Sequence, residues 1–546
     1  MESADVATTE NDGNSAARSD VGRLARSTVL LMVAFGIAKA ISLVQVFIIA
    51  DVFGVGAEWD AFVTANRIPE LLVILIGGGA LGYAFIPVFG GLLAQEKREE
   101  AWQLASHVMN TIFLVTALLS VLVFIFAPWL IQVAIAPGFD AEQVAQTAAL
   151  MRILLISTLL FSISGIFQGI LHSHNHFLLP ALAPILLDVG ILFGVVFLIG
   201  PLGVYGVAWG AVLGAAMHFG IQVPGLIHYR MRWWPQFGWN DPRLREVIRL
   251  MIPRLLGLAV VSFNLYLVPN NIGSRLGEGA VSAFDWGWRL MQIPETLIGS
   301  AMGFVIFPTL AALSGLHDLR GKRDAMNGAL RFILVATVPA AVGLIVLGRP
   351  LVGLLERGAF DAEASNLVFS TLQFFALGLI VHSALEIVAR SFYADKDTIT
   401  PLYAAVIAAA INLGLALLLT GPLGVGGLAL ANSVAVGFEV IVLIVILRRR
   451  WAGIGEQALL STLLRAGIAS AAMAAAILLL EAILGGVLNS LDLGLIGEVA
   501  KLGIEVLLGV AVYAVVALLL GMTEIRTVIA ALLRRAGRKQ AAAAVE

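Results

Sequence analysis

Apolar residues run along this chain in stretches of twenty or more between Thr28 and Met522, with short polar segments between them. A soluble amphipathic helix would show a polar stripe every third or fourth residue, and a half-buried strand would alternate with period two. Continuous runs of this length instead match the ~30 Å hydrocarbon layer of a bilayer, where the backbone must satisfy its own hydrogen bonds. They predict fourteen helices, at 28–52, 68–94, 108–134, 147–171, 178–199, 202–224, 247–270, 280–312, 328–348, 366–391, 399–420, 422–447, 461–488 and 497–521. The expected class is an all-α polytopic membrane protein. Residues 1–27 are polar and read as a disordered cytoplasmic terminus, and 523–546 read as a cytoplasmic tail.

Composition agrees, with 60% hydrophobic residues against 13% charged. Cysteine is absent, which excludes disulfides and thiolate metal sites. The first apolar run is too long for a signal-peptide core and lacks a basic leader. Charge is segregated by loop. Lys97/Arg98, Arg230/Arg232/Arg243/Arg245, Arg320/Lys322/Arg323, Lys396, Arg448/Arg449/Arg450 and Arg534/Arg535 fall in one alternate set of connections, while the other set is far poorer in cations, with Arg275 and Arg357 among its few. The positive-inside rule then places both termini in the cytoplasm.

The chain is duplicated. "LGYAFIP" (81–87) returns as "MGFVIFP" (302–308), and "GFDAE" (138–142) as "AFDAE" (359–363), both 221 residues on. The halves, an N-lobe at 28–229 and a C-lobe at 230–450, hold six helices each and insert in the same orientation; helices 13 and 14 follow within 451–522. Such repeats mark transporters with a substrate site between the halves, and nothing here resembles a channel filter loop. Helix 2 breaks the usual rules for a span. It carries Arg67 and Glu70 at its start, Pro69 and Pro87, and Gly77, Gly78, Gly79 and Gly82 within. Helix 8 has Arg289, Gly299, Gly303 and Pro308 in matching places. Both read as bendable helices hinging at those glycines; close helix packing is the competing explanation.

The motifs carry a resemblance. "DVFGVGAEWDAFVTANRIPELL", "APWLIQVAIAPGF", "ILHSHNHFLLPALAPILLD", "WRLMQIPETLIGSAMGFVIFPTL" and "SFYADKDTITP", in that order over about 30–450, resemble the MurJ/MviN family of the MOP exporter superfamily. The resemblance implies a lipid II flippase of the bacterial plasma membrane that works by alternating access, with helices 13 and 14 forming a groove for a lipid tail. It also implies that cavity arginines grip the substrate's pyrophosphate. Here the pattern departs. Lys39 keeps a positive charge in helix 1, but Gln45 and Val73 stand where the family has arginine, and Gly78 and Gln292 where it has glutamate. Arg289 is retained. Export of another lipid-linked oligosaccharide or polysaccharide is the alternative reading, with a drug exporter and a non-transporting scaffold behind it.

Ionisable groups inside spans are costly and therefore functional candidates. Lys39, Arg254 and Arg289 are the expected phosphate contacts. Asp60, Arg67, Glu70, Asp188, Asp285 and Glu295 are candidates for a gate, for charge balance or for ion coupling. "HSHNH" (172–176) brings histidines together without carboxylate or cysteine neighbours and reads as a polar turn, not a metal site. "GLHDLRGKRD" (315–324) has the wrong spacing for a phosphate-binding loop. No catalytic or nucleotide-binding constellation is recognised. The expectation is a monomeric transporter without cofactor, acting on a lipid-linked cell-wall precursor and driven by an ion gradient or the membrane potential, with no nucleic-acid partner.

Overall fold

The computed structural model describes residues 41–77, 79–174, 176, 178–490 and 494–526. Among the described residues every expected helix falls on a helical segment, and 28–40 of the first expected helix lies outside them. In chain order these are α1 (Ile41–Phe53), α2 (57–94), α3 (Arg98–Ile135), α4 (Ala141–Ser173), α5 (Leu178–Leu202), α6 (Val204–His228) and α7 (242–273). The second half continues with α8 (Ala280–Gly315), α9 (Leu319–Val346), α10 (Ala362–Ala394), α11 (Ile399–Leu423), α12 (Val425–Arg450), α13 (Glu456–Ser490) and α14 (Gly494–Leu519). Among the described residues eleven of them, α3 to α6 and α8 to α14, are individually long and apolar enough to cross a membrane. No strand occurs among the described residues.

Within the spans the ladder is interrupted by π turns, where one extra residue is inserted per turn. Two of these, Val73–Gly77 in α2 and Thr296–Ser300 in α8, lie within two residues of repeat-related positions. Each follows a proline by less than two turns, Pro69 and Pro294. A proline supplies no N–H to the carbonyl four residues back, so the ladder is already weakened there.

The duplication is visible in backbone detail. Asp140 and Asp361 each cap a helix by accepting from the N–H three residues on, at 2.8 Å in both cases. Glu96 and His317 share a left-handed turn (φ 58° and 57°), as do Arg230 and Ala452 (φ 56° and 52°).

The chain divides into two compact units. The first comprises the described residues of 1–53, 61–135 and 139–262, and the second those of 54–60, 136–138 and 263–546. In the first, Phe85, Phe89, Trp102, Leu104, Phe167 and Ile170 form a buried core at the α2–α3 and α4–α5 turns, joined by Leu244, Val247 and Met251 of α7. That packing puts the changeover inside α7, at 262/263, whereas hydropathy alone puts the lobe boundary in the loop before it. α5 and α6 approach through Gly190, Gly194, Gly206, Gly210 and Gly214, whose missing side chains let the backbones touch. In the second unit, Leu330, Ile333, Phe392, Leu443 and Trp451 form one core. A further cluster of Val335, Val338, Ala469, Met473, Tyr513 and Ala517 seats α13 and α14 on α9. Tyr513 donates to the Val335 carbonyl at 2.7 Å, which Pro339 leaves without a helical donor.

Candidate functional site

Asp60 stands in the first turn of α2 and is fully buried. A carboxylate can be buried only if hydrogen bonds replace its water. Its two oxygens accept from the backbone N–H groups of Gly279 and Ser282, both at 2.7 Å, at the start of α8. Four N–H groups at a helix start lack intrahelical partners and carry partial positive charge, so Asp60 acts as a cap supplied from 219 residues away. The arrangement is reciprocal, for Glu278 accepts from the N–H of Ala57 at 3.0 Å at the start of α2. Ala57 and Glu278 are themselves repeat-related, 221 apart.

The neighbouring loops repeat this exchange. Gly54, with φ +56°, lies against the Ala359 carbonyl so closely that any Cβ would collide. Gly138, the repeat-mate of Ala359, is pressed in the same way against the Ser274 carbonyl next to Arg275, the repeat-mate of Gly54, and donates to the Ser274 hydroxyl at 3.1 Å. Trp59 and Trp286 stack with ring centres 6.2 Å apart. Segments 54–60 and 136–138 belong to the second unit because of these contacts.

Further along α8, Arg289 bonds through Nε to Asp285, one turn earlier, at 2.6 Å. Asp285 is buried while the arginine side chain is 55% exposed, so a buried carboxylate anchors a half-exposed guanidinium. Glu295 lies beside the second π turn and accepts from the Ser300 hydroxyl at 3.3 Å. Glu386 and Arg390 of α10 pair along their own helix, and Arg390 also lies over Phe304 of α8 at 5.0 Å. A Cβ on Gly303 would meet the Arg390 guanidinium, and one on Gly299 would lie 2.8 Å from Ser383 Cα. Both glycines are thus close-packing positions against α10, and the local break in α8 is the π turn itself.

In the first unit, Arg67 and Glu70 pair at 3.6 Å, and Glu70 also accepts from Asn66 at 3.4 Å. Gln45 is buried and donates to the Asp188 carbonyl. Gln45 thus serves as a packed tie between α1 and α5. Gly77 closes the first π turn, and Gly79 and Gly82 continue as helix. Lys39 and Gly78 lie outside the described residues, and for Arg254 only its place on α7 is described.

At the other end of the bundle the basic loops are anchored, not loose. His174 stacks on Tyr229 at 4.2 Å, and its repeat-mate Asp395 receives the buried Lys322 ammonium, which sits 4.8 Å above Trp451. Burial pushes the Asp397 carboxyl up, but hydrogen bonds from Thr400 and Arg450 outweigh it and hold the group down at about 2. Among the described residues no three His, Cys, Asp or Glu side chains converge.

Two candidates of the sequence reading, Asp60 and Asp285, therefore have defined tasks as a cap and an anchor. Glu278 and the Gly54/Gly138 contacts are not singled out by hydropathy. The 221-residue offset is the signal that finds them, since Ala57 maps onto Glu278.

The family model described as lipid II flippase MurJ matches residues 49–496. The chain belongs to the MurJ lipid II flippase family. A relative named lipid II flippase MurJ, from Burkholderia cenocepacia, is 30% identical over 381 residues, covering 68% of this chain and 73% of that one. Among solved structures, a lipid II flippase MurJ in an inward closed conformation superposes with TM-score 0.75 at 25% identity, covering 92% of this chain and all of its own. An inward-facing multidrug MATE transporter of the MOP superfamily superposes with TM-score 0.66 at 15% identity over 77% of this chain, which shows the shared fold. MurJ-family membership makes this a multi-pass membrane protein of a bacterial transporter family, not of a catalytic one.

Proposed function

We propose that this chain is a lipid II flippase, moving the undecaprenyl-pyrophosphate-linked peptidoglycan precursor from the cytoplasmic to the outer leaflet by alternating access. The observation that carries the mechanism is the reciprocal cap, Asp60 on the start of α8 and Glu278 on the start of α2. Caps supplied across hundreds of residues can be broken and remade without unfolding either helix, which suits a gate. Both capped helices also carry a π turn part-way along, where one arm can swing on the other. Lys39, Arg254 and Arg289 serve as the phosphate contacts, and Asp285 sets the direction of Arg289. Arg67, Glu70, Asp188 and Glu295 hold local geometry or balance charge. No nucleotide is used; the membrane potential, about 2.3 kcal/mol per charge per 100 mV, or an ion gradient supplies the work. Both termini are cytoplasmic, and one copy suffices.

Gln45 and Val73 favour a second reading, export of another lipid-linked oligosaccharide or polysaccharide, because two of the cations that the resemblance implies for lipid II are missing. Depletion of a resident flippase in cells supplied with this chain tests the proposal. Growth with restored lipid II at the outer leaflet is the expected result. Failure of a correctly inserted protein to restore it, with translocation of another lipid-linked glycan in vesicles, would establish the second reading.

A further inference from the structure

Arg152 is a guanidinium that hydropathy passes over, set in α4 eleven residues past Ala141. Its Nε donates to the Phe124 carbonyl of α3 at 3.0 Å, and its guanidinium carbon lies 5.0 Å over the Phe124 ring. That carbonyl is available because Pro128, four residues on, has no N–H to give it. The side chain is thus fixed through one N–H and one face. Among the described residues, no hydrogen bond or ion pair reaches its two Nη groups. Around it the surface is apolar and outward-facing, with Leu122, Ile125, Phe126 and Trp129 of α3 and Ile156 of α4 all exposed.

Depth narrows the ligand. The 33 residues of α4 extend about 50 Å, roughly 20 Å more than the hydrocarbon layer. With that overhang shared equally between its ends, Arg152, about 16 Å from the start of the helix, lies some 6 Å inside the layer, at the end away from the basic loops. An arginine there needs an anion, and Trp129 has the exposed position of an interfacial anchor. With Nε occupied, the Nη pair still presents a fork that fits two phosphate oxygens. We propose that Arg152, held by Phe124, docks the phosphate of a membrane phospholipid whose acyl chains lie along the exposed face of α3.

Native mass spectrometry of the purified full chain tests this, with phosphatidylglycerol and a phosphate-free diacyl glycolipid as probes. Arg152→Gln should lower phosphatidylglycerol occupancy by about tenfold and leave the glycolipid unchanged. Arg152→Lys, which keeps the charge but loses the fork and the Phe124 anchor, should retain only part of the phospholipid binding and controls for folding. A photoactivatable phosphatidylglycerol should crosslink within 122–129. Equal phosphatidylglycerol occupancy in wild type and Arg152→Gln would overturn the proposal. So would parallel loss of both lipids, which would make Arg152 a staple for the Pro128 kink. Crosslinking of photoactivatable undecaprenyl pyrophosphate within 122–129, displacing the phospholipid, would assign the groove to substrate instead.

Discussion

A buried carboxylate usually answers a cation, but Asp60 answers two backbone N–H groups at the start of α8. Removing it strands both donors in a water-poor site, at about 1–3 kcal/mol each. Asp60→Ala should therefore weaken the closed gate and abolish sustained transport while the chain still inserts. Asp60→Asn, which keeps the size but loses the charge that favours a helix start, should fall between the two. A covalent version isolates the gating role from stability. The sequence contains no cysteine, so Ala57→Cys with Glu278→Cys makes a defined pair at the second cap. Oxidation should stop lipid II translocation and reduction should restore it. Unchanged translocation by the oxidised protein would remove the caps from the transport cycle. Asp60 was visible in the sequence as an odd charge at a helix start. Its task was not, because the donors lie 219 and 222 residues away and a backbone N–H leaves no mark in a sequence. Arg152 was hidden for the same reason, its partner being a carbonyl freed by a proline on another helix.

At the scale of elements, hydropathy located the long helices of the described residues because lipid rewards apolar length alone. It could not show the π turns, since a turn closed at five residues has the same composition as one closed at four. The glycines of α2 and α8 pointed to bending, yet in α8 they turn out to be where α10 comes close, and the break lies between Thr296 and Ser300. Two variants separate these roles. Gly299→Ala drives a methyl to within 2.8 Å of Ser383 Cα and should lower stability by about 1–3 kcal/mol through overpacking, seen as a lower Tm. Deleting Leu297 removes the extra residue of the π turn, so α8 becomes continuous while residues 301–315 keep their present facing. That deletion should preserve folding and block translocation. Full transport by the straightened helix would show that the π turn is a packing feature and that the swing lies elsewhere.

For the whole molecule, the decisive quantity is which side of the membrane each loop occupies. The repeat fixes a relation that hydropathy cannot, because residues 221 apart in parallel halves must lie on the same side. Glu142 and Glu363 are such a pair, exposed just inside the caps formed by Asp140 and Asp361. Cysteines at these two positions leave the caps intact and should both react with an impermeant reagent in intact cells. The opposite side needs more care. Lys322 belongs to a basic loop, but its side chain is only 2% exposed, closed over by Trp451 and tied to Asp395. A cysteine at 322 would fail to react from either side and report burial alone. Arg320, exposed in the same turn, is the informative site. Arg320→Cys should stay unlabelled until the membrane is opened. Labelling of Glu142→Cys and Glu363→Cys from opposite sides would mean inverted repeats, and with them the parallel two-lobe reading and the cytoplasmic placement of both termini would fall. Labelling of both from outside, with Arg320→Cys protected, fixes the start of α4 and the Arg152 groove near the outer leaflet, where a phospholipid phosphate can reach it.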